Sequence, residues 1–398
     1  MRSSPIPAPR RLRVMHVITH LAMGGAENVA IGLCERLRDA ADFTVFAVIG
    51  GPLSPVGAEM AERLERAGVE VLTGTPGRFK SGGVVLAALR LAAAVRRERP
   101  DVIHLHTEIP ELTAAVAGVF SKSVRSAATL RTVHNSTLWI DWARIGAWVT
   151  GRLHRARAVA VSEAAAQADA QIATRRKRPL ADVVYNGVVA PHAPDPDASA
   201  PSPATDPGPE ACARPLRVLF AGRLVEQKGA DLLPAILHTA RSLVMRDDVE
   251  ITVAGEGPLG DGLIDRLTAS APRWTVAMTP PISGLAQKLA GYDALLMPSR
   301  FEGFALLPLE AMLAGIPIII SRAPGIDEAL PAGYPFAAAT GDAQAMGALL
   351  AQVLNEPQAT RRSVQRFSSE IGARFSVERM TERYMVLYHG MAGGSCKP

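Results

Sequence analysis

The chain has 398 residues, of which 48% are hydrophobic and 5% aromatic, and its formal net charge is +5 at pH 7. Because single hydrophobic cores stop growing beyond about 250–300 residues, this length predicts two domains. The three cysteines, Cys34, Cys212 and Cys396, form no C-x-x-C pair, which argues against a disulfide framework or a zinc site. No apolar run reaches the roughly 18 residues that span a bilayer, and His16 and His20 interrupt the apolar part of the N-terminal segment. We therefore expect a cytoplasmic protein without a membrane span.

The basic charge is concentrated in the first half of the chain. Residues 1–190 hold 25 Lys and Arg against 16 Asp and Glu, a net charge of +9, which leaves −4 for the rest. The basic clusters at 96–99, 152–157 and 175–178 lack interleaved aromatic residues, so no nucleic-acid partner is expected. Two interpretations stay open, namely solvated helix faces or contact with an anionic membrane surface.

Short β-branched runs alternate with longer helical patterns in this first half. Apolar runs typical of buried strands lie at 13–20, 43–50, 69–74 and 101–107. Apolar residues at helical spacing extend over 24–40 and 84–99. This alternation predicts a parallel sheet covered by helices.

A proline-rich segment separates the first half from a second half with the same alternation. Residues 190–215 contain eight prolines and few apolar residues, which is typical of a linker. Strand-like runs follow at 216–222, 249–255, 274–279, 293–299 and 316–321. The predicted organisation is an N-terminal domain at 12–190, a linker at 191–215, a C-terminal domain at 216–375 and a closing helix at 376–391. We expect an α/β fold of two Rossmann-like parallel-sheet domains that face each other across an interdomain cleft.

The stretch SRFEGFALLPLEAM at 299–312 places two glutamates in an otherwise apolar setting. The pattern predicts a turn at RFEG and then a helix, since Pro308 is tolerated only near a first helical turn. Unpaired N–H groups at 304–306 would favour a diphosphate at this helix terminus. Glu302 and Glu310 could then accept hydrogen bonds from sugar hydroxyls, which predicts a ligand with a diphosphate between two sugars. The alternative is two surface glutamates that flank a core helix.

The motif FAGRLVEQKGADLL follows the first strand of the second domain. Arg223 and Lys228 lie at and just beyond the strand end, where Gly222 and Gly229 permit tight turns. Two cations near a helix N-terminus complement a diphosphate and can stabilise a departing nucleotide without a metal ion. The alternative is a pair of exposed basic residues in a loop.

Glycines and histidines follow strands of the first domain. Gly24 and Gly25 open a helix and would let a phosphate or a sugar approach the backbone, although glycine also serves helix–strand packing. His134 follows a strand-like run, as do His104 and His106. Each histidine is either a catalytic candidate or a structural residue.

Two further patterns are interpreted as non-functional. The stretch GEGPLG at 255–260 fits G-x-G-x-x-G, but Pro258 interrupts it and the next strand end offers no acid for a ribose. Asp195 and Asp197 have a spacing that suits a divalent cation, yet they lie in the predicted linker with no strand to position them. No metal site is therefore expected.

Taken together, these motifs resemble those of the family 4 retaining glycosyltransferases of the GT-B fold. The resemblance covers most of both domains through GGAEN, TVHN, VSE, YNGV, AGRLVEQKG, AGEGP and EGFALLPLEAMLAGIPIIIS. The last stretch is similar to the E-x7-E motif of that family. The resemblance implies sugar transfer from a nucleotide-diphosphate sugar with retained anomeric configuration, without a bound metal or other cofactor. It also implies that the first domain takes the acceptor and the second holds the donor.

The resemblance assigns roles to individual residues. Arg223 and Lys228 would grip the donor diphosphate, Glu310 the nucleotide ribose and Glu302 the transferred sugar. His134, in TVHN, matches the active-site histidine of the family, near the sugar hydroxyls. The implied catalytic residues are thus His134, Glu302, Arg223 and Lys228. The implied donor-binding residues are Gly24, Gly25, Arg223, Lys228, Glu302, Gly303, Phe304, Ala305, Leu306 and Glu310.

Two features depart from the family pattern. The family often has an aspartate two residues after its NG pair, where this chain has Val188 and Val189. The proline-rich segment is also longer than usual. Both departures bear on the interdomain geometry more than on the chemistry.

The expected reaction is transfer of a sugar to an acceptor hydroxyl of a glycan or a lipid-linked sugar, in exopolysaccharide, lipopolysaccharide or glycolipid synthesis. The alternatives are a nucleotide-sugar epimerase of the same architecture and a non-catalytic nucleotide-sugar-binding protein. The basic first half favours an acceptor at the cytoplasmic face of an anionic membrane, with residues 79–99 as a candidate contact. An ordinary core helix with solvated arginines is the alternative for that segment.

Overall fold

The computed structural model describes residues 10–22, 24–77, 79–139, 142–176, 179–189 and 214–393. The described chain divides into two units. The first unit contains residues up to Tyr185 together with those from Glu378 onward, and the second is Asn186–Val377.

A seven-stranded parallel sheet forms the centre of the first unit. Its strands are β1 Leu12–Ile18, β2 Ala41–Ile49, β3 Glu70–Thr75, β4 Val102–His106, β5 Ala128–Val133, β6 Arg157–Ala160 and β7 Asp182–Val183. Their order in the sheet is β3-β2-β1-β4-β5-β6-β7, and every pairing is parallel. All but one residue of β1 are buried, as expected where helices cover both faces of a parallel sheet.

Helices connect these strands, and one arrives from the end of the chain. They are α1 Gly25–Leu37, α2 Pro55–Arg66, a π-helical turn Phe79–Gly83, α3 Val84–Glu98, α4 Glu108–Phe120, α5 Lys122–Ser126, α6 Ala143–Arg152 and α7 Glu163–Arg176. The chain-terminal helix, numbered α15, is Val377–Gly393, and from Glu378 it belongs to this unit. Tyr384 and Tyr388 of α15 are fully buried in the first unit.

The second unit is built around a six-stranded parallel sheet. Its strands are β8 Leu216–Ala221, β9 Val249–Ala254, β10 Thr275–Thr279, β11 Ala294–Met297, β12 Ile318–Arg322 and β13 Ala337–Ala339, in the order β10-β9-β8-β11-β12-β13. Its helices are α8 Leu233–Leu243, α9 Leu263–Ser270, α10 Leu285–Lys288, α11 Leu306–Leu313, α12 Ala343–Asn355, α13 Pro357–Gln365 and α14 Ser368–Arg374. Short 3-10 turns lie at Glu226–Lys228, Ala230–Leu232, Leu289–Gly291 and Asp327–Ala329.

The prediction of two parallel-sheet α/β domains is confirmed. Each apolar run interpreted as a strand overlaps a strand of one of the two sheets, since β-branched residues suit a pleat buried on both faces. The predicted linker lies outside the described residues as far as residue 213. Among the described residues, no helix is both long enough and apolar enough to cross a membrane.

Candidate functional site

Two loops of the second unit meet where the strand order reverses. β8 and β11 are neighbours in the sheet, but β9 follows on one side and β12 on the other. Ligands of open α/β sheets bind at the carboxyl ends of strands at such a switch point. The loop after β8 carries Arg223 and Lys228, and the loop after β11 carries Glu302. The fold thus brings three residues of the predicted site to one edge of this sheet.

Lys228 and Glu302 form an ion pair between these two loops. Nζ of Lys228 lies 2.6 Å from Oε1 of Glu302, and the two side chains are 25% and 9% exposed. Charge-assisted hydrogen bonds of this kind are about twice as strong as neutral ones. A lysine ammonium has three N–H donors, so Lys228 can bind an anion while it holds Glu302.

Arg300 and Gln227 join the same two loops. The Arg300 guanidinium donates two hydrogen bonds to the carboxylate of Asp231, at 2.8 and 2.7 Å, and its backbone N–H donates to the Gln227 carbonyl at 2.8 Å. The Gln227 side chain donates to the carbonyl of Phe301 at 3.2 Å and accepts from the exposed Arg223 at 3.1 Å. One guanidinium nitrogen of Arg223 is therefore held by Gln227, although the residue is exposed to solvent.

Two glycines let the backbones approach closely around Lys228 and Glu302. Gly229 has a φ of +70°, and a Cβ there would lie 2.1 Å from the carbonyl oxygen of Pro298. Gly325 has a φ of +78°, and its Cβ would lie 2.1 Å from the carbonyl oxygen of Glu302. Real Cβ atoms do not approach a backbone oxygen so closely, and residues other than glycine rarely adopt such φ values. Both positions therefore require glycine.

α11 begins directly after the loop that carries Glu302. Its N-cap residue, Ala305, is in an extended conformation and has no side chain that could cap the first N–H groups. Pro308 is the third helical residue and buried, as the sequence predicts. An uncapped helix N-terminus offers N–H groups and a partial positive charge to an anion. Gly303, Phe304 and Leu306 complete the segment to which donor contacts were assigned.

The side chains of this segment show which atoms are available to a ligand. Phe304 is buried and packs against Phe375, with ring centroids 5.3 Å apart, so only its backbone can contact a phosphate. Glu310 is partly buried on α11, and its burial raises the pKa of its carboxyl above the usual value. A carboxyl of this kind suits a hydroxyl partner better than a phosphate, which would repel it.

In the first unit, the predicted glycine loop precedes α1. Gly24 is the N-cap residue of α1, and a Cβ at this position would lie 2.1 Å from Oε2 of Glu27. The absence of a side chain at Gly24 thus makes room for a carboxylate of its own helix. Apart from its chain neighbours and its own helix backbone, no described atom lies within 4 Å of a Cβ built on Gly25, so that position is open.

Glu27 is a residue to which the sequence analysis gave no role. Its side chain is buried in the first turn of α1, and burial raises the pKa of its carboxyl to about 7. A buried carboxyl in the helical turn that follows the first strand can hold or give up a proton near neutral pH. The signal in the sequence that could have drawn attention to Glu27 is its position three residues after Gly24, which has no side chain to cap the helix.

His134 lies directly after β5 and is 9% exposed. Its Nε2 is 3.0 Å from Nδ1 of His106, and burial lowers the pKa of His134 to about 3. His134 is therefore a neutral imidazole that can donate or accept a hydrogen bond but carries no charge. His106, predicted to be either catalytic or structural, is fully buried behind it.

Of the two patterns interpreted as non-functional, only GEGPLG lies within the described residues. A Cβ at Gly255 would lie 1.9 Å from the carbonyl oxygen of Gly222, and one at Gly257 would lie 2.5 Å from that of Leu224. The glycines of GEGPLG thus allow this loop to pack against the loop after β8. Asp195 and Asp197 lie outside the described residues.

Comparisons with known proteins support the same family in both units. The family model described as Glycosyltransferase Family 4 matches residues 23–190, and that described as Glycosyl transferases group 1 matches residues 210–369. The glycogen synthase of Mycobacterium tuberculosis is 25% identical over 407 residues, which cover 97% of this chain and 92% of the relative. A D-inositol 3-phosphate glycosyltransferase of Arthrobacter is 29% identical over 178 residues, or 43% of this chain and 42% of the relative.

Solved structures show the same fold. Anabaena HepE in complex with UDP-glucose has a TM-score of 0.74 at 19% identity, over 96% of this chain and 100% of that one. The sucrose-phosphate synthase of Thermosynechococcus elongatus has a TM-score of 0.71 at 18% identity, over 96% and 100% of the two chains. With two family models that together extend over most of the sequence and a doubly wound parallel sheet in each unit, the chain belongs to the family 4 glycosyltransferases of the GT-B fold.

Proposed function

We propose that this glycosyltransferase moves a sugar from a nucleotide-diphosphate sugar to an acceptor hydroxyl with retention of anomeric configuration. The observation that carries the proposal is the Lys228–Glu302 pair, at 2.6 Å, at the switch point of the second unit and next to the uncapped N-terminus of α11. A cation and helix N–H groups suit a diphosphate, while a carboxylate suits sugar hydroxyls. A nucleotide-diphosphate sugar presents both kinds of group.

In this proposal Lys228 and Arg223 stabilise the negative charge that develops on the departing diphosphate. Preorganised donors of this kind are a large source of rate enhancement, since they need no reorganisation during the reaction. The backbone from Gly303 to Leu306 contributes N–H groups, and Glu310 accepts a hydrogen bond from the nucleotide ribose. These roles need no metal ion, which is part of the proposal.

Glu302 holds the transferred sugar through its hydroxyls. His134 acts as a neutral imidazole that hydrogen-bonds to a sugar hydroxyl. The acceptor hydroxyl enters on the face from which the diphosphate leaves, and a leaving phosphate oxygen takes its proton. No separate carboxylate base is then required. Gly24 and Gly25 belong to the loop that we place beside the donor phosphate and the acceptor. Open space for them lies at Gly25, because the Glu27 carboxyl occupies the space at Gly24.

The proposed acceptor is a glycan or a lipid-linked sugar of exopolysaccharide, lipopolysaccharide or glycolipid synthesis, reached at the cytoplasmic face of an anionic membrane. Support comes from α3, which exposes Val85, Leu86 and Leu89 near its start and Arg96 and Arg97 near its end. Apolar and basic residues on one exposed helix face are typical of contact with anionic lipid surfaces. The net charge of +9 over residues 1–190 also favours contact with an anionic membrane.

The proposal is tested with purified protein, a panel of nucleotide sugars and a pool of lipid-linked sugars. Thermal shift identifies the donor, beginning with UDP-glucose because Anabaena HepE was solved with it. Mass spectrometry then detects the product, and NMR of its anomeric proton compares its configuration with that of the donor. An inverted product contradicts retention, and loss of transfer in EDTA with rescue by magnesium or manganese contradicts the metal-free roles.

One control separates transfer from the two alternative functions. Donor turnover to an isomeric nucleotide sugar when the acceptor is omitted would indicate an epimerase. Tight donor binding without any product would indicate a non-catalytic binder.

A further inference from the structure

Four histidines and a tyrosine form a continuous chain of hydrogen bonds inside the first unit. Nε2 of His134 lies 3.0 Å from Nδ1 of His106, and Nε2 of His106 lies 2.9 Å from Nδ1 of His16. The hydroxyl of Tyr388 lies 3.5 Å from Nε2 of His16 and 2.8 Å from Nδ1 of His104. Apart from His134, which is 9% exposed, these side chains are completely buried.

The chain of hydrogen bonds continues beyond His104 to a second tyrosine. Nε2 of His104 lies 2.6 Å from Oγ1 of Thr132, which in turn lies 3.2 Å from the hydroxyl of Tyr384. Thr132 and Tyr384 are also buried. We call this set the relay, and its members are His134, His106, His16, Tyr388, His104, Thr132 and Tyr384. It leads from the His134 ring, the least buried of the set, to a fully buried hydroxyl.

Sheet register explains why these residues meet. His16 on β1 lies opposite His104 on β4, and His106 on β4 lies opposite Thr132 on β5. Side chains two residues apart on a strand share a face, so His104 and His106 point to the same side of the sheet. α15 brings Tyr388 to that side from the end of the chain.

All four imidazoles are neutral. Burial lowers the pKa of His16 and His134 to about 3, and it lowers the pKa of His104 and His106 well below 6.5. A neutral imidazole has one N–H donor and one acceptor nitrogen. When one ring nitrogen accepts a hydrogen bond, the other nitrogen therefore carries the proton and donates to the next residue. The direction of the whole relay is therefore set at its buried end.

Hydrogen-bond satisfaction fixes that direction. Within the described residues, Thr132 is the one hydrogen-bond partner of the Tyr384 hydroxyl, so Tyr384 must donate to Thr132 or leave a buried O–H unpaired. Thr132 then donates to Nε2 of His104, and Nδ1–H of His104 donates to Tyr388. Tyr388 donates to Nε2 of His16.

The same direction continues to His134 at the other end of the relay. Nδ1–H of His16 donates to Nε2 of His106, and Nδ1–H of His106 donates to Nε2 of His134. The proton of His134 must then be on Nδ1. Of the eight ring nitrogens, Nδ1 of His134 alone has no hydrogen-bond partner in the described part of the chain.

We propose that His106, His16 and Tyr388 are positioning residues that hold His134 in its Nδ1–H tautomer, so that His134 presents a hydrogen-bond donor to the substrate. The part of this statement that concerns substrate rests on the proposed function, in which His134 contacts the transferred sugar. A fixed N–H donor is suited to a sugar hydroxyl oxygen that must be oriented before transfer. The relay achieves this without a buried charge, because each ring keeps one proton.

A bound metal ion is the other arrangement that such a cluster allows. Ligand atoms of His16, His104 and His106 all lie within 4.8 Å of one another. However, both nitrogens of each of these rings already have hydrogen-bond partners, and those of His104 are directed to Thr132 and Tyr388. The hydrogen bonds account for every one of these nitrogens, whereas a metal would leave several of their partners unpaired.

The tautomer is measured directly by NMR of the 398-residue protein labelled with 15N in its nine histidines. The signals of His134 are assigned as those that disappear in His134→Gln. We expect them to show a protonated Nδ1 and an unprotonated Nε2. In His106→Asn, which keeps a partner for His134 but cuts the link to His16, the Nε2–H form preferred by free histidine should take over. Tyr388→Phe should have the same effect.

Tyr334→Phe is the matched control, because it removes a buried hydroxyl of the second unit and should leave the His134 signals unchanged. An unprotonated Nδ1 in the wild-type protein, unchanged signals in both relay variants, or a stoichiometric metal ion in the purified protein would overturn the proposal.

Kinetics separate this proposal from the proposed function. With His134 as a contact of the transition state, His106→Asn and Tyr388→Phe should lower kcat about tenfold or more with a smaller change in KM. If His134→Gln transfers sugar at the wild-type rate, the assigned role of His134 is wrong, while the tautomer measurement still decides the relay. Unaltered kcat in relay variants whose tautomer has changed would show that His134 does not use its N–H in transfer.

Discussion

Nζ of Lys228 lies 2.6 Å from Oε1 of Glu302, although the two residues are 74 positions apart in the sequence. In the proposed function one of them binds the donor diphosphate and the other binds the transferred sugar. In that proposal their contact joins the two halves of the donor site. Loss of either partner should therefore affect both binding and transfer.

Lys228→Ala should lower the rate of transfer about a hundredfold or more, because an electrostatic contact to the developing diphosphate charge is lost. The melting temperature should change little, since the side chain is partly exposed. Release of nucleoside diphosphate from the identified donor measures the rate. Lys288→Ala, which removes an exposed lysine on α10, is the matched control. Wild-type turnover in Lys228→Ala would show that this cation does not act on the leaving group.

Gly229→Ala should destabilise the second unit and lower activity. The new Cβ would lie 2.1 Å from the carbonyl oxygen of Pro298, so the turn that ends at Lys228 must shift. Gly262→Ala is the control. Gly262 also has a positive φ, of +64°, but no atom of the described residues beyond its chain neighbours lies within 4 Å of a Cβ there. We expect about 1 kcal/mol lost for Gly262→Ala from the φ alone, and distinctly more for Gly229→Ala. Urea unfolding measures both, and equal losses would mean that the turn adjusts without cost.

The pattern of strands and helices could be predicted from the sequence because β-branched runs and helical spacing are local signals. The strand–turn–helix context of Glu302 was equally local. The Lys228–Glu302 contact was not, because it depends on β8 lying next to β11, which is a property of the strand order. The number of residues between β8 and β11 does not reveal that the two strands are neighbours in the sheet.

The histidines show the same limit more clearly. The two-residue spacing of His104 and His106 was visible in the sequence, and it implies one shared face of a strand. Their connection to His16 needs the register between β1 and β4, and their connection to Tyr388 needs a helix from the end of the chain. Assigning each histidine separately as catalytic or structural therefore missed a network whose members belong together.

Arg131→Met should destabilise the first unit by about 3–5 kcal/mol. Arg131 is 3% exposed and donates to Glu111 at 2.9 Å and to Asp169 at 3.0 Å, so its loss leaves two carboxylates buried without their cation. Arg157→Met is the control, because the Arg157–Asp182 pair is about half exposed and such pairs contribute little. Chemical denaturation measures both variants. A loss for Arg131→Met no larger than for Arg157→Met would mean that the buried carboxylates become protonated or hydrated at little cost.

The exposed face of α3 should bind anionic membranes. Each basic residue near an anionic surface contributes about 1 kcal/mol, and salt screens that contribution. In vesicle flotation we expect the protein to float with phosphatidylglycerol vesicles but not with phosphatidylcholine vesicles. Arg96→Glu with Arg97→Glu should abolish flotation.

Arg361→Glu with Arg362→Glu makes the same change of charge on α13 of the second unit and serves as the control for α3. Equal loss of flotation in both double variants would attribute binding to net charge and not to this helix. Indifference of the wild-type protein to vesicle charge would favour solvated arginines and a soluble acceptor.

Glu27→Gln should change how stability depends on pH. The pKa of Glu27 is raised to about 7 in the folded protein, from a reference value of 4.5. Between these values the folded state binds more protons than the unfolded state, so the free energy of unfolding decreases as pH rises from about 4.5 to about 7. A glutamine side chain at this position would resemble the protonated carboxyl at every pH and would lack this decrease.

The variant should therefore gain stability relative to the wild-type protein as pH rises through this window, by up to a few kcal/mol, with a constant difference above about pH 7. Thermal and urea unfolding at a series of pH values measure the difference. Glu62→Gln, on the exposed face of α2, should give a difference that does not vary with pH in the same way. If Glu27→Gln shows no dependence on pH relative to the wild-type protein, the carboxyl of Glu27 is ionised and stabilised in the folded state, most directly by the N–H groups at the start of α1.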